Sequence, residues 1–232
     1  MAASKRNLDK VRSAGVDAFL REVKNMPVPA GGGGRLVFAL DATLSRQPTW
    51  DRAMQIQGEM FQQTAALGGL AIQLCWFRGF GEFEASPWIA DSAKLLKRMT
   101  AVRCRGGATQ IGRLLEHAMA EAGRGSLPAL VYIGDCVEED GDHLCHLAAR
   151  LGMLGVRLFI FHEGGEPYAG GVFREMARLS GGAYLPFDAA SAHRLRDLLA
   201  AVAVYATGGR KALADLSRRT GGGARLLLEK LG

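Results

Sequence analysis

The sequence predicts an α/β protein built on a doubly wound, mostly parallel sheet of six strands with helices on both faces. Three observations carry that expectation. Short apolar runs recur along the chain and alternate with segments of helical periodicity. Several runs are apolar almost without interruption, which suits strands buried on both faces of a parallel sheet. Two of them, Arg35-Leu-Val-Phe-Ala-Leu-Asp41 and Leu130-Val-Tyr-Ile-Gly-Asp135, end in an acid.

The elements follow in order. Residues 7–25 read as an amphipathic helix, with Leu8, Val11, Val16, Phe19, Leu20 and Val23 near one stripe. Pro27 and Pro29 end it, because proline disfavours helix in the residue before it. Gly31 to Gly34 form a flexible linker. The first strand is 35–41. A helix is expected at about 48–66, with Pro48 and Asp51 in its first turn. Leu70 to Phe77 is the second strand, Gly79-Phe-Gly81 a turn, and Glu82 to Ile89 a short strand returning antiparallel. Helices are expected at 91–102, 109–122, 140–153, 170–179 and 191–206. Between them fall strands at 130–135, 157–161 and 183–187. Two short helical patterns split by Gly221-Gly-Gly223 occupy 209–232. The reading divides the chain into an N-terminal helix and linker (1–34), a central α/β domain (35–206) and a basic helical tail (207–232).

Composition narrows the function classes. The chain has 232 residues, 48% of them apolar, enough for a sizeable core. No run approaches the ~18 to 20 apolar residues of a membrane span. The first residues lack the apolar stretch of a signal peptide. A soluble, cytoplasmic protein without membrane contact is the expectation. Cys75, Cys104, Cys136 and Cys145 show no paired framework and read as reduced thiols. The net charge of +6 sits at the ends. Residues 1–30 carry six Lys/Arg against three Asp/Glu, and 207–232 carry six against two. The central domain is therefore slightly acidic, which argues against nucleic-acid recognition by the domain itself. The basic ends remain a separate candidate for such binding.

In a doubly wound sheet, ligands bind beyond the carboxyl ends of the strands, where the strand order reverses. Asp41 and Asp135 stand at two such ends. Thr109 follows a glycine pair at the mouth of a helix. If the first and fourth strands are neighbours, Asp41, Thr43, Ser45, Thr109 and Asp135 converge. Carboxylates and hydroxyls without His or Cys suit a hard divalent cation, Mg²⁺ or Mn²⁺. Asp, Ser and Thr are also ordinary turn and cap residues, and Thr109 suits an N-cap, although Gly112 three residues on gives no capping box and the two roles are compatible.

The pattern resembles the metal-ion-dependent adhesion site of von Willebrand factor A (VWA) domains, a Rossmann-like fold: an Asp-x-Ser-x-Ser loop, a distant Thr and a distant Asp. Here the first loop is Asp41-Ala-Thr43-Leu-Ser45, with Thr in place of the middle Ser. Gly106-Gly-Ala-Thr109-Gln-Ile111 resembles the glycine-rich loop that carries the Thr, with Ala108 as an extra residue. Tyr132-Ile-Gly-Asp135 resembles the strand bearing the last Asp, where Cys136 replaces the usual Gly. The likeness covers roughly 35–206. It implies an intracellular, bacterial-type member in which Thr43, Ser45 and Thr109 ligate the metal directly. Asp41 and Asp135 would mainly hold waters, and a carboxylate of a partner protein would fill an open position. It also implies work beside AAA+ ATPases or in stress-response assemblies.

Rival sites read less well. Gly31 to Gly34 precede the strand, whereas a dinucleotide loop follows it. No Walker-type lysine and no Gly-x-Ser-x-Gly elbow occurs. Cys136, His143, Cys145 and His146 fit no standard zinc spacing. The acids Glu138, Glu139, Asp140 and Asp142 read as a solvated loop favoured by the dipole of the next helix. His162 ends a strand near the functional edge and reads as packed or solvated. A non-enzymatic interaction module is thus the leading expectation. A metal-dependent phosphoester hydrolase is the alternative, with Arg46, Arg103 and Arg105 as its anion-binding candidates.

Overall fold

The computed structural model describes residues 34–46, 70–187, 192–220 and 222–231. The expected helices at 7–25 and about 48–66 lie outside these residues. Six strands form one sheet: β1 (Arg35–Asp41), β2 (Ala71–Arg78), β3 (Glu82–Ala85), β4 (Ala129–Gly134), β5 (Arg157–Glu163) and β6 (Ala183–Phe187). Their order is β3-β2-β1-β4-β5-β6. All pairings are parallel except that of β2 with β3. Successive strands run outward in both directions from β1, so the order reverses between β1 and β4.

Side-chain alternation explains why helices cover both faces. Leu36, Phe38 and Leu40 of β1 join Val131 and Ile133 of β4 on one face. Packed there are Leu95 and Met99 of α1 (Ser92–Ala101), Leu198, Val202 and Leu213 of α5 (Ala192–Thr220), and Leu227 of α6 (Gly222–Lys230). Val37, Ala39, Leu130 and Tyr132 point the other way. They meet α2 (Ile111–Arg124), α3 (Gly141–Met153) and α4 (Pro167–Ser180) through Leu114, Leu147 and Phe173. Each fully buried side chain of this size contributes about 1.5–3 kcal/mol.

Two boundaries differ from the sequence reading, each for a local reason. The third strand stops at Ala85, where a side chain takes over from the backbone in the ladder. Ser86 Oγ accepts the Leu74 N–H instead, at 3.0 Å, and pairing resumes only as a bridge between Ile72 and Ile89. Helix α4 begins at Pro167 rather than 170, since the Glu166 carboxylate caps Tyr168 and Ala169. The span of α5 is divided at Gly209, whose φ of 64° and ψ of −162° are not helical, so one helix ends and a second begins there, as the sequence reading has it. Leu213, Leu216, Ala224 and Leu227, from the segment read as a tail, lie in the same core as β1. Among the described residues, no helix is long and apolar enough to cross a membrane.

Candidate metal centre

Three loops meet where the strand order reverses. The first leaves β1 at its carboxyl end. Asp41 is fully buried, and its Oδ1 accepts the Thr43 N–H at 2.8 Å. That short Asx-type bond folds the chain back sharply. Thr43, 3% exposed, bridges Arg105 of the second loop, and its Oγ1 lies 3.0 Å from Ser45 Oγ. Ser45 is exposed, within the single turn Leu44–Arg46.

The second loop is tied down by glycine. A Cβ on Gly107 would sit 2.0 Å from the carbonyl oxygen of Gly79, so only glycine permits this approach to the β2–β3 turn. The Ala108 N–H donates to the same carbonyl at 3.2 Å. Thr109 follows, 4% exposed. It is not the cap of α2. Gln110 occupies that position and makes no side-chain cap bond.

The capping groups come from the third loop. Glu139 accepts the N–H groups of Ile111 and Gly112, at 2.5 and 2.8 Å. Glu138 Oε2 accepts the Thr109 N–H at 2.8 Å, while the Glu138 N–H donates to Thr109 Oγ1 at 3.1 Å. A carboxylate at a helix N-terminus satisfies orphan donors and meets the positive end of the dipole. Two of the acids expected to serve the following helix therefore serve α2 instead. Asp140 alone caps α3, through the His143 N–H.

Asp135 begins the third loop. Its Oδ1 is buried and accepts no hydrogen bond from the described residues. The ligand atoms of Asp41, Asp135 and Cys136 all lie within 4.8 Å of one another. Burial pushes the Cys136 thiol up to about 12, aided by the carboxylates of Asp135, Asp41 and Glu138. His162 of β5 supports this corner from below. Its Nε2 lies 3.2 Å from the Asp135 carbonyl oxygen and its Nδ1 2.8 Å from the Tyr184 hydroxyl. A carbonyl only accepts, so Nε2 carries the proton. Burial lowers the His162 pKa, which keeps the ring neutral. Nδ1 then accepts the Tyr184 O–H.

The structure thus brings Asp41, Thr43, Ser45 and Asp135 to one sheet edge, and Thr109 joins them through Glu138. A buried carboxylate, Asp41, and a half-buried one, Asp135, stand at adjacent strand ends, and one buried Asp135 oxygen has no donor among the described residues, which fits a divalent cation. Cys136 falls beside these aspartates. Among the described residues, His143, Cys145 and His146 form no metal-ligating cluster. Of the anion-binding set expected for a hydrolase, the side chain of Arg46 lies outside the described residues. Arg105 pairs with Glu82, and Arg103 turns back onto the carbonyls of Thr100 and Val102. Glu138, Glu139, Cys136 and the His162–Tyr184 pair are the residues that sequence reading did not place in the site. The acid run after Asp135 was the available signal, but helix partners remote in sequence are not written in it.

The sequence matches no protein-family model and no curated protein. Solved structures do resemble it. The SpRpn10 VWA domain superposes with a TM-score of 0.58 at 14% identity, covering 70% of this chain and 95% of that one. A von Willebrand factor type A protein from Catenulispora acidiphila gives 0.57 at 18% identity, over 73% of this chain and 42% of that one. Proximal thread matrix protein 1 from the mussel byssus, with a zinc-occupied adhesion-site motif, gives 0.58 at 15% identity. That match covers 74% of this chain and 46% of the mussel protein, so the chain spans less than half the length of these last two. The six-stranded sheet, its strand order and these likenesses together identify the chain as having the fold of a von Willebrand factor A domain.

Proposed function

We propose that this chain is a protein–protein interaction module. It holds a divalent cation through Asp41, Thr43, Ser45, Thr109 and Asp135 and presents an open coordination position to a carboxylate of a partner. The observation that carries this reading is the meeting of Asp41 and Asp135 at adjacent strand ends, with ligand atoms within 4.8 Å. The oxygen donors suit Mg²⁺ or Mn²⁺. A structural neighbour with zinc in the corresponding motif supports a divalent cation at this place in the fold.

The surroundings suit docking rather than turnover. Leu44, 57% exposed, projects from the first loop, and Phe80, 90% exposed, from the turn that contacts the second. Apolar groups beside a polar anchor are common at the centre of interfaces. The family resemblance implies an AAA+ ATPase as one class of partner, which co-purification with and without the cation tests. Titration calorimetry tests the site itself. Mg²⁺ or Mn²⁺ should bind the wild-type chain and not Asp41→Ala. Equal binding by both, or none by wild type, overturns the reading.

A further inference from the structure

We propose that Cys136 is itself a ligand of this centre, and that its sulfur turns the preference of the site from magnesium toward a softer divalent cation, zinc being the natural occupant. The inference rests on the metal-site reading above and deepens it. The thiol stands next to Asp135 at the end of β4, and its sulfur lies with one oxygen each of Asp41 and Asp135 inside a 4.8 Å cluster. Bonds of about 2.0 Å to oxygen and 2.3 Å to sulfur put neighbouring zinc ligands about 3 to 4 Å apart. Closing the cluster onto one ion brings its ligand atoms together by about 1 Å.

A second observation points to the same place. Asp135 Oδ1 is buried beside this thiol without a hydrogen-bond donor among the described residues. A cation between the two residues satisfies that oxygen. On binding, the S–H bond gives way to a metal–sulfur bond and the proton leaves to solvent.

Thiolates select zinc and cobalt over magnesium, whereas an all-oxygen set selects the hard ion. Cys136 therefore decides which cation the site takes. The other thiols make poor rivals among the described residues. Cys75 is buried in the core, and neither Cys104 nor Cys145 lies in a cluster of metal-ligating groups.

Cobalt(II) is the probe, added to the full metal-free chain. Wild type should show a sulfur-to-cobalt charge-transfer band in the near ultraviolet, bleached by zinc. Cys136→Ser and Cys136→Gly should lack the band and still bind Mg²⁺. Their preference for zinc over magnesium should fall by about tenfold to a hundredfold, the scale seen when a group supporting a metal is lost. Cobalt bound without the band, a band that persists in Cys136→Ser, or an unchanged preference in both variants overturns the role of Cys136. The interaction-module reading survives each of those results, provided Asp41→Ala abolishes binding. No binding of any divalent cation by wild type overturns both.

Discussion

Two acids at opposite ends of the sheet are built in opposite ways. Glu121 of α2, 4% exposed, lies at the amino end of the strands. Its carboxylate receives Arg35 at 2.7 Å, the Trp88 indole N–H at 3.0 Å, and Arg124. Arg35 also stacks on the Trp88 ring, 3.9 Å from its centre. Every oxygen of that acid has a protein donor. Asp135, at the carboxyl end, keeps a buried oxygen with no donor among the described residues. A buried carboxylate surrounded by donors holds the fold together. One left short of donors costs stability unless something else binds it. The contrast separates an end of the molecule closed by protein donors from one that leaves an oxygen short of them.

The contrast breaks most sharply on Glu121→Ala. Removing one partner strands Arg35 and the indole, and the loss should be about 3–5 kcal/mol, read by urea unfolding of the metal-free chain. A loss below about 1 kcal/mol would mean the cluster is surface decoration.

Asp135→Asn should behave in the opposite way. The metal-free variant should be as stable as wild type or more so, since the carboxylate oxygen it alters holds no protein donor among the described residues. Wild type should gain about 2.7 kcal/mol when the cation is at a hundred times its dissociation constant, and Asp135→Asn should gain nothing. A metal-free variant as damaged as Glu121→Ala would erase the distinction between the two ends.

Acid should attack the closed end next. Burial raises the Glu121 pKa, but the hydrogen bonds from Arg124 and Trp88 outweigh it and leave the net value lowered. Its contribution is therefore complete above the ordinary glutamate value of about 4.3 and fades as pH falls below it. His117, lowered mainly by burial, has the same sign and loses stability as pH falls below about 6.5. Glu121→Gln should flatten the unfolding curve below about pH 4.3 and leave the slope between there and about pH 6.5. An unchanged acid limb would show that the folded state does not favour the charged Glu121.

The smallest effect belongs to the exposed apolar pair. Leu44→Ser and Phe80→Ser should each change stability by no more than about 0.5 kcal/mol and leave cation affinity intact. A larger loss by thermal melt would mean that these side chains are packed rather than offered to a partner.

How much of this was legible beforehand depends on where the information sits. The strands were plain because burial on both faces writes long apolar runs, as in Leu36 to Leu40. The first loop was plain because alternate oxygens at 41, 43 and 45 are a local pattern. The Glu139 cap on α2 was not, because its donors lie 27 and 28 residues away. The break at Gly209 was legible as a glycine pair, but the return of the residues beyond it to the core was not. Gly107 gave a visible glycine pair, but the reason for it, the Gly79 carbonyl, exists only in the folded chain.

The sequence by itself determined the alternation of strands and helices, the acids at the ends of β1 and β4, and the hydroxyls around them. Periodicity and composition are local, and they survive without coordinates. Only the tertiary structure decided that β1 and β4 are neighbours, that Glu138 and Glu139 clamp the second loop, and that Cys136 sits beside both aspartates. Those relations join residues far apart in the chain. They are fixed by the register of the sheet and by the need to satisfy buried polar groups, and neither leaves a local mark in the sequence.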